Sequence, residues 1–179
     1  MIHDEGNRAR FEALYATHRR DLLAYFLRRA EPSDAADLLA ETFLVAWRRL
    51  DAVPAEKDAR LWLFGVGRHQ LANQRRALQS AREVSVMLKG ALVAASPHGP
   101  DVSTGIAVRQ ALDRLNPADR ETMMLTVYEE LTPTEIAEVT GRTVAAVRAR
   151  LHRARRRIAR ELGEEPTVTA RPQPQTAQG

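Results

Sequence analysis

The stretch LTPTEIAEVTGRTVAAVRARLHRARRRIARE, residues 131–161, decides the fold of the C-terminal part of the chain. Thr132 and Glu135 have the spacing of a capping box, which marks the start of a helix. Gly141 follows where the end of a helix favours glycine. The stretch therefore predicts two helices joined by a short turn, which is a helix-turn-helix pattern. The two predicted helices cover 133–140 and 144–162.

The second of these helices combines an apolar stripe with a strongly basic face. The stripe that must face a core consists of Val144, Val147, Leu151, Ala154 and Ile158. Between Arg142 and Arg160 there are eight arginines and no acidic residue. A merely solvated face is the alternative, but like charges one turn apart mildly destabilise a helix. The motif and the charge together indicate DNA binding.

Helical periodicity extends over the rest of the chain, whereas strand signals are weak, so the fold class is all-α. The other predicted helices cover 8–29, 34–50, 59–80, 106–114 and 117–129. A linker is indicated by Ser96-Pro97-His98-Gly99-Pro100, and a disordered tail by the prolines after Gly163. We therefore predict two small helical domains joined by a flexible linker. The predicted segments are a domain over 8–80, a linker over 81–105, a domain over 106–162 and a disordered tail over 163–179.

The predicted helix 34–50 has two faces. Its core stripe consists of Leu39, Phe43, Ala46, Trp47 and Leu50. Its opposite face mixes apolar and charged side chains, namely Asp37, Leu38, Glu41, Val45 and Arg48. Periodicity alone leaves two interpretations of this second face open: incidental exposure, which is normal for single apolar residues, or a docking surface for a large partner.

The predicted helix 59–80 has no acidic residue and several arginines. Leu63, Phe64, Gly67, Leu71 and Leu78 form its predicted core face. Trp62, His69, Asn73 and Arg76 project the other way. Aromatic and basic residues on one face suit single-stranded nucleic acid, but Trp62 could equally close the core while the arginines are solvated.

Composition excludes several classes of protein. The 179 residues include 27 Lys and Arg, all but two of them Arg, against 23 Asp and Glu, for a net charge of +4. There is no cysteine, which excludes disulfides and thiolate sites. The five histidines are scattered, and no phosphate loop or nucleophile–base pair is present, so we expect no metal, no cofactor and no enzymatic activity. No apolar stretch is long enough for a membrane span and no signal peptide is visible, so we expect a cytoplasmic protein without membrane insertion.

Several segments, in this order, carry a family resemblance. The first are FEALY from Phe11, ADLLAETFLVAW from Ala36 and WLFGVGRH from Trp62. The later ones are LNPADRE from Leu115, LTPTEIAE from Leu131 and TVAAVRARLHRAR from Thr143. Together they resemble regions 2 and 4 of the extracytoplasmic-function (ECF) group of bacterial sigma-70 factors. The family often has Glu-Gly at Glu129-Glu130 and Gly-Thr at Ala145-Ala146, where this chain departs from the pattern.

The resemblance implies a function and a set of partners. The protein would bind core RNA polymerase, direct it to promoters through the −10 and −35 elements, and assist promoter melting. Its partners would be the clamp helices of the largest polymerase subunit, the β flap, promoter DNA and an anti-sigma factor. In the holoenzyme it would be nucleoid-associated.

The resemblance also assigns roles to individual residues. The implied polymerase-binding residues are Asp37, Leu38, Glu41, Val45 and Arg48. The implied −10 residues are Arg60, Trp62, Arg68, His69, Asn73 and Arg76. The implied −35 residues are Arg142, Thr143, Arg148, Ala149, His152, Arg153 and Arg156, of which Arg148, His152 and Arg153 would lie nearest the base edges.

Two other classes of function stay open at this point. A conventional helix-turn-helix regulator would bind duplex DNA unaided, usually as a dimer, but would have no need of a second arginine-rich face on helix 59–80. A polymerase-binding protein that never reads a promoter would not need the arginine-rich helix 144–162. An enzyme is a more distant third alternative.

Overall fold

The computed structural model describes residues 2–88 and 106–161, and these residues form helices without any strand. The all-α prediction is therefore confirmed. Within these two ranges, seven α-helices follow one another. They are α1 (Ile2–Leu27), α2 (Pro32–Arg48), α3 (Glu56–Leu88), α4 (Ile106–Asp113), α5 (Pro117–Val127), α6 (Pro133–Thr140) and α7 (Val144–Glu161), with a 3-10 turn at Leu50–Ala52.

The segment predicted as a linker begins inside a helix. α3 continues past Ser80 to Leu88, so the beginning of the segment predicted as a linker is helical. The remainder of that segment, 89–105, and the tail predicted over 163–179 lie outside the described residues.

The first three helices form one bundle. α2 packs against both α1 and α3, and α1 also packs against α3. Tyr25, Phe26, Leu63 and Phe64 are fully buried at its centre. Gly67 allows the close approach of α3, because a Cβ at this position would lie 2.8 Å from Cζ of the Phe26 ring.

The last four helices form a second core around the helix-turn-helix. Asn116 caps α5, accepting from the backbone N–H of Asp119 at 2.9 Å. Thr132 and Glu135 form the predicted capping box at the start of α6. Gly141 ends α6 in the left-handed region, with φ 63°. The local signals thus predicted both ends of α6 as the structure has them. They also predicted the bounds of α5 and α7 closely.

The helical wheel assigned two residues of α2 to the wrong face of the helix. Trp47 was predicted in the core but is 42% exposed, and Leu38 was predicted on the outer face but is only 2% exposed. The reason is that α2 is buried on two sides. Phe43 packs edge-on against the Tyr15 ring of α1, with centroids 4.7 Å apart, while the Thr42 hydroxyl lies near Gly67 of α3. A single stripe on a helical wheel cannot represent an arc this wide.

Candidate polymerase and promoter interfaces

A groove with mainly apolar walls lies between α1 and α2. It has a volume of about 720 Å³. The Phe11 ring lies 5.2 Å from the Trp47 ring and 6.1 Å from the Phe43 ring, both edge to face. Its lining residues are Arg8, Phe11, Glu12, Tyr15, Ala36, Leu39, Ala40, Phe43, Leu44 and Trp47. We call this surface the aromatic groove.

The exposed face of α2 borders the aromatic groove. Of the five residues predicted to bind a large partner, Asp37, Glu41 and Arg48 are exposed and share this face. Val45 is half-buried, and the prediction that Leu38 is exposed was wrong because it packs in the core. Sequence reasoning missed Leu44, which is 46% exposed between Glu41 and Trp47. The apolar part of this surface is therefore built from Leu44 and Trp47.

The basic face of α3 divides into two parts. Trp62 and Arg68 are half-buried, whereas His69, Asn73 and Arg76 are exposed along the second half of the helix. The Arg76 guanidinium donates to the Asn73 side-chain oxygen at 2.5 Å, which joins these two side chains on one surface. Leu78, predicted in the core, is 47% exposed because the bundle ends before this turn of α3.

Arg60 is held by protein contacts at the start of this face. Its Nε donates to Asp21 at 3.2 Å and its Nη2 donates to the backbone carbonyl of Glu129 at 3.0 Å. Its guanidinium also lies 4.9 Å from the centroid of the Phe64 ring. In this structure Arg60 is therefore bonded to α1 and to the turn before α6, whereas His69, Asn73 and Arg76 are exposed.

α7 and the turn before it present the predicted DNA-binding residues together. All seven are exposed, and the buried stripe opposite them is centred on Val147, Leu151 and Ala154. Val144 and Ile158 are half-buried at the two ends of that stripe, as the periodicity predicts. The exposed residues are Arg142, Thr143, Arg148, Ala149, His152, Arg153 and Arg156. This is the geometry of a recognition helix, whose outer face can enter a major groove.

A buried carboxylate lies beneath α7. The Asp119 side chain is 5% exposed, and its Oδ1 lies 3.4 Å from Arg153 Nη2 and 3.5 Å from Arg150 Nη1. Its Oδ2 accepts from the Asn116 amide at 2.8 Å. Sequence reasoning did not identify this contact. Its structural effect is to tie α7 to α5, and this limits the freedom of Arg153.

A second charged cluster joins the two helical units. Arg29 and Glu129 have side chains only 1% exposed, and they pair through two hydrogen bonds of 3.1 and 3.2 Å. Glu121 accepts from Arg29 Nε at 3.1 Å. Burial alone would lower the pKa of Arg29, but the nearby Glu121 carboxylate, with Tyr25 and Glu129, raises it above its ordinary value. Arg29 therefore stays charged, and the cluster is a genuine ion-pair network. No sequence signal revealed it, since the partners are about a hundred residues apart.

Within 2–88 and 106–161 there is no group of three histidine or acidic side chains arranged to hold a metal ion. Every helix in these two ranges is too short or too polar to serve as a membrane span.

Comparisons with known proteins match both helical units. Residues 14–81 match the family model "Sigma-70 region 2", and residues 106–158 match "Sigma-70, region 4". The RNA polymerase sigma factor NccH of Alcaligenes xylosoxydans is 31% identical over 166 residues, covering 86% of this chain and 87% of NccH. The ECF RNA polymerase sigma factor SigL of Mycobacterium tuberculosis is 31% identical over 169 residues, covering 87% of this chain and 92% of SigL.

A solved structure agrees with these matches. CnrH, a sigma factor of Cupriavidus metallidurans solved in complex with the cytosolic domain of CnrY, superimposes with a TM-score of 0.59 at 26% identity. The match covers 89% of this chain and 91% of CnrH. This chain belongs to the sigma-70 family and is an ECF-type sigma factor with a promoter-recognition role.

Proposed function

We propose that this sigma factor reads the −35 element with α7, reads the −10 element with the second half of α3, and binds core polymerase with the outer face of α2. The observation that carries the proposal is the common exposure of the seven predicted residues, five on α7 and two in the turn before it, above a core stripe that fixes the orientation of the helix. The proposed domains are those predicted: 8–80 for polymerase and the −10 element, and 106–162 for the −35 element.

The −35 contacts divide by chemistry. Arg148 is exposed near the start of α7, where a recognition helix places its side chains against base edges. A guanidinium there can pair with guanine through two hydrogen bonds. Thr143 already receives a bond from the backbone N–H of Ala146, so its side chain acts as the cap of α7 as well as a groove contact. Arg153 and Arg156, further along the helix, suit contacts to phosphates or to the edge of the site.

The −10 contacts use the part of α3 that protrudes from the bundle. His69, Asn73 and Arg76 form an exposed polar strip of one helix face. Trp62 and Arg68, half-buried at its beginning, can support a base that leaves the duplex by stacking and by charge. A flipped base costs a few kcal/mol to unpair, so a surface that holds it favours melting.

Core polymerase would bind the outer face of α2 and the adjoining aromatic groove. Asp37, Glu41 and Arg48 supply charges, with Val45 at the edge. Leu44 and Trp47 supply the exposed apolar area that a specific protein interface buries at its centre. Leu38 is removed from the predicted set because it lies in the core. By the same family analogy, the clamp helices would contact this surface, and the β flap would be a further contact of the protein on the polymerase.

Three further parts of the function follow from family membership. We propose that the polymerase performs all the chemistry, so that this chain is not an enzyme and needs no cofactor. We propose that it acts in the bacterial cytoplasm and is nucleoid-associated within the holoenzyme. The solved complex of CnrH with the cytosolic domain of CnrY supports an anti-sigma factor as a further partner.

The decisive experiment is transcription in vitro with core polymerase, followed by tests of one surface at a time. Leu44→Asp should abolish co-purification with core while leaving the helical circular dichroism unchanged, because an interfacial carboxylate without a partner is costly. Leu78→Asp is the matched control, since Leu78 is exposed to the same extent on a different helix. Equal binding by both variants would show that α2 is not the docking helix. Absence of any binding by the unsubstituted protein would contradict the whole proposal.

A further inference from the structure

We infer that Asp119 is a positioning residue for promoter reading: its buried carboxylate restrains the Arg153 guanidinium, and this restraint increases the discrimination between matched and mismatched −35 elements. The inference rests on the proposed function, since it takes α7 as the −35 reader. It deepens that function by naming a residue on another helix, itself buried away from DNA, that sets how selectively α7 reads.

The recognition helix supplies almost no negative charge of its own. α7 contains seven arginines, and its one acidic residue, Glu161, is the last residue of the helix. Arginines three or four positions apart repel one another. An unrestrained guanidinium on such a helix therefore moves away from its neighbours and toward any phosphate within reach. The compensating carboxylate comes from α5, which packs directly against α7.

Local structure fixes the position of this carboxylate. Asp119 is the third residue of α5, where the helix dipole favours an acid. The Asn116 side chain accepts from the Asp119 backbone N–H at 2.9 Å and donates to Asp119 Oδ2 at 2.8 Å. Oδ2 is therefore engaged by the cap of its own helix, while Oδ1 lies next to two arginines of α7.

The two arginines beside Oδ1 differ in exposure. Arg150 Nη1 lies 3.5 Å from Oδ1 and its side chain is 19% exposed, whereas Arg153 Nη2 donates at 3.4 Å from a side chain that is 58% exposed. One cation is enough to neutralise one carboxylate, and the more buried Arg150 does so. The second contact therefore restrains a side chain that DNA can still reach. A guanidinium has five N–H donors, so a bond through one of them leaves others for DNA.

A restrained guanidinium discriminates better than a free one. Phosphate contacts set the register of a recognition helix in the groove, and the position of Arg153 along α7 suits such a contact. A fixed Arg153 makes its contact in the register that also brings Arg148 to the base edges. A released Arg153 can follow phosphates in other registers, so binding to unrelated sequences gains. The Asp119 charge opposes the same gain, because it reduces the local positive charge that drives sequence-independent binding.

Asp119→Asn separates the restraint from the helix cap. The amide oxygen can still accept from Asn116, but the charge that attracts the two arginines is lost. In NMR relaxation of the free protein, the order parameter of the Arg153 Nε–Hε bond should fall in this variant. The same bond of Arg156, which is exposed further along α7, should keep its value and serves as the internal control.

Holoenzyme binding tests the consequence for discrimination. The probes are a promoter fragment recovered by transcription in vitro and the same fragment with a scrambled −35 element. Asp119→Asn should lower the ratio of the two affinities by about fivefold, the upper value for loss of a partly exposed ion pair. Binding to the scrambled fragment should depend more steeply on salt, by up to about 0.9 in the log–log slope for one added phosphate contact. Glu130→Gln, the same charge change at an exposed position before α6, is the matched control and should leave the ratio unchanged.

A double variant distinguishes positioning from a purely structural role. If Asp119 acts through Arg153, Asp119→Asn should not lower the affinity ratio further in an Arg153→Ala background. A general distortion of the helix-turn-helix would lower it equally in both backgrounds. Asn116→Ser keeps the inference testable if Asp119→Asn loses helical circular dichroism. Serine still caps α5 but cannot donate to Oδ2, so the Arg153 order parameter and the affinity ratio should fall in the same direction.

Four outcomes would overturn the inference. They are an unchanged Arg153 order parameter in Asp119→Asn, an unchanged affinity ratio, an equal fall in the ratio with Glu130→Gln, and an equal fall in the Arg153→Ala background. The NMR measurement uses neither polymerase nor DNA. Its failure is therefore distinguishable from failure of the proposed function, which appears as absent transcription by the unsubstituted protein.

Discussion

α3 and α7 have similar compositions but different positions in the fold. Both are rich in arginine and both were predicted to bind nucleic acid. α7 buries one narrow stripe and exposes the rest, so its basic residues are available together. The first half of α3 is packed against α1, α2 and α6, so that Arg60 contacts protein, whereas His69, Asn73 and Arg76 further along are exposed. An arginine-rich helix is therefore a DNA-reading surface only where neighbouring elements leave it uncovered.

The largest expected effect concerns the packed half of α3. Gly67→Ala should lower the free energy of unfolding by about 1–3 kcal/mol, because the added methyl group would overlap the buried Phe26 ring and force repacking. Gly65→Ala is the matched control, since nothing beyond its chain neighbours and the adjoining backbone of α3 lies within 4 Å of an added Cβ. It should stabilise the helix by up to about 1 kcal/mol. Urea unfolding of both variants measures the difference, and equal values would show that α3 is not closely packed here.

The second effect separates the two helices by function. Arg148→Ala should weaken binding of the −35 element by about 1–3 kcal/mol if it contacts a base, with little change in melting temperature. Arg60→Ala should instead lower the melting temperature, because it removes bonds to Asp21 and to the Glu129 carbonyl.

Holoenzyme footprinting on matched and mismatched −35 elements, with thermal melts of each variant, tests this pair. Equal losses on both elements would reduce Arg148 to a phosphate contact. A melting temperature unaffected by Arg60→Ala would show that this arginine is not needed for packing.

The third effect concerns α6, which packs against both α3 and α7. Thr132→Ala should cost about 1 kcal/mol of unfolding free energy, since it removes the cap of this shared helix. The side-chain and backbone bonds from Thr132 lower the pKa of Glu135 below its ordinary value. Its contribution to stability is therefore complete above the pKa of the unfolded chain and is lost as the pH falls through the lower folded value.

Thermal melts of the unsubstituted protein and Glu135→Gln at about pH 7 and about pH 3 check the sign. The two proteins should differ at the higher pH and converge at the lower one. A difference that grows on acidification would contradict the capping argument.

The smallest effect concerns the turn before α6. Glu130 has φ 57°, a conformation that glycine adopts without strain, and the sigma-factor pattern often has glycine here. Glu130→Gly should stabilise the protein by about 0.5 kcal/mol. Glycine relieves the backbone strain of the folded state, but it also increases the conformational entropy of the unfolded chain, which offsets part of the gain. Glu138→Gly is the control, and it should lower the free energy of unfolding because Glu138 lies inside α6. Chemical denaturation of both variants measures the two changes.

Local signals predicted much of this fold, and long-range contacts account for the errors. Asn116, Thr132 and Gly141 interact with residues within a few positions, so their caps were predictable. The orientation of α2 was not, because Trp47 and Leu38 depend on two neighbouring helices that one periodic pattern cannot encode. The pairing of Arg29 with Glu129 was hidden for the same reason. The residues that would touch promoter or polymerase remain predictions, with Leu38 withdrawn from the set and Leu44 and Trp47 added.

The contact between Gly67 and the Phe26 ring has an evolutionary consequence. The two positions share one fixed volume, so neither can gain atoms unless the other loses them. A chain that first acquires a smaller residue at position 26 can then accept alanine at position 67, whereas the reverse order passes through a strained intermediate. Positions 26 and 67 should therefore covary in size among close relatives, and Phe26→Leu should rescue much of the stability lost in Gly67→Ala.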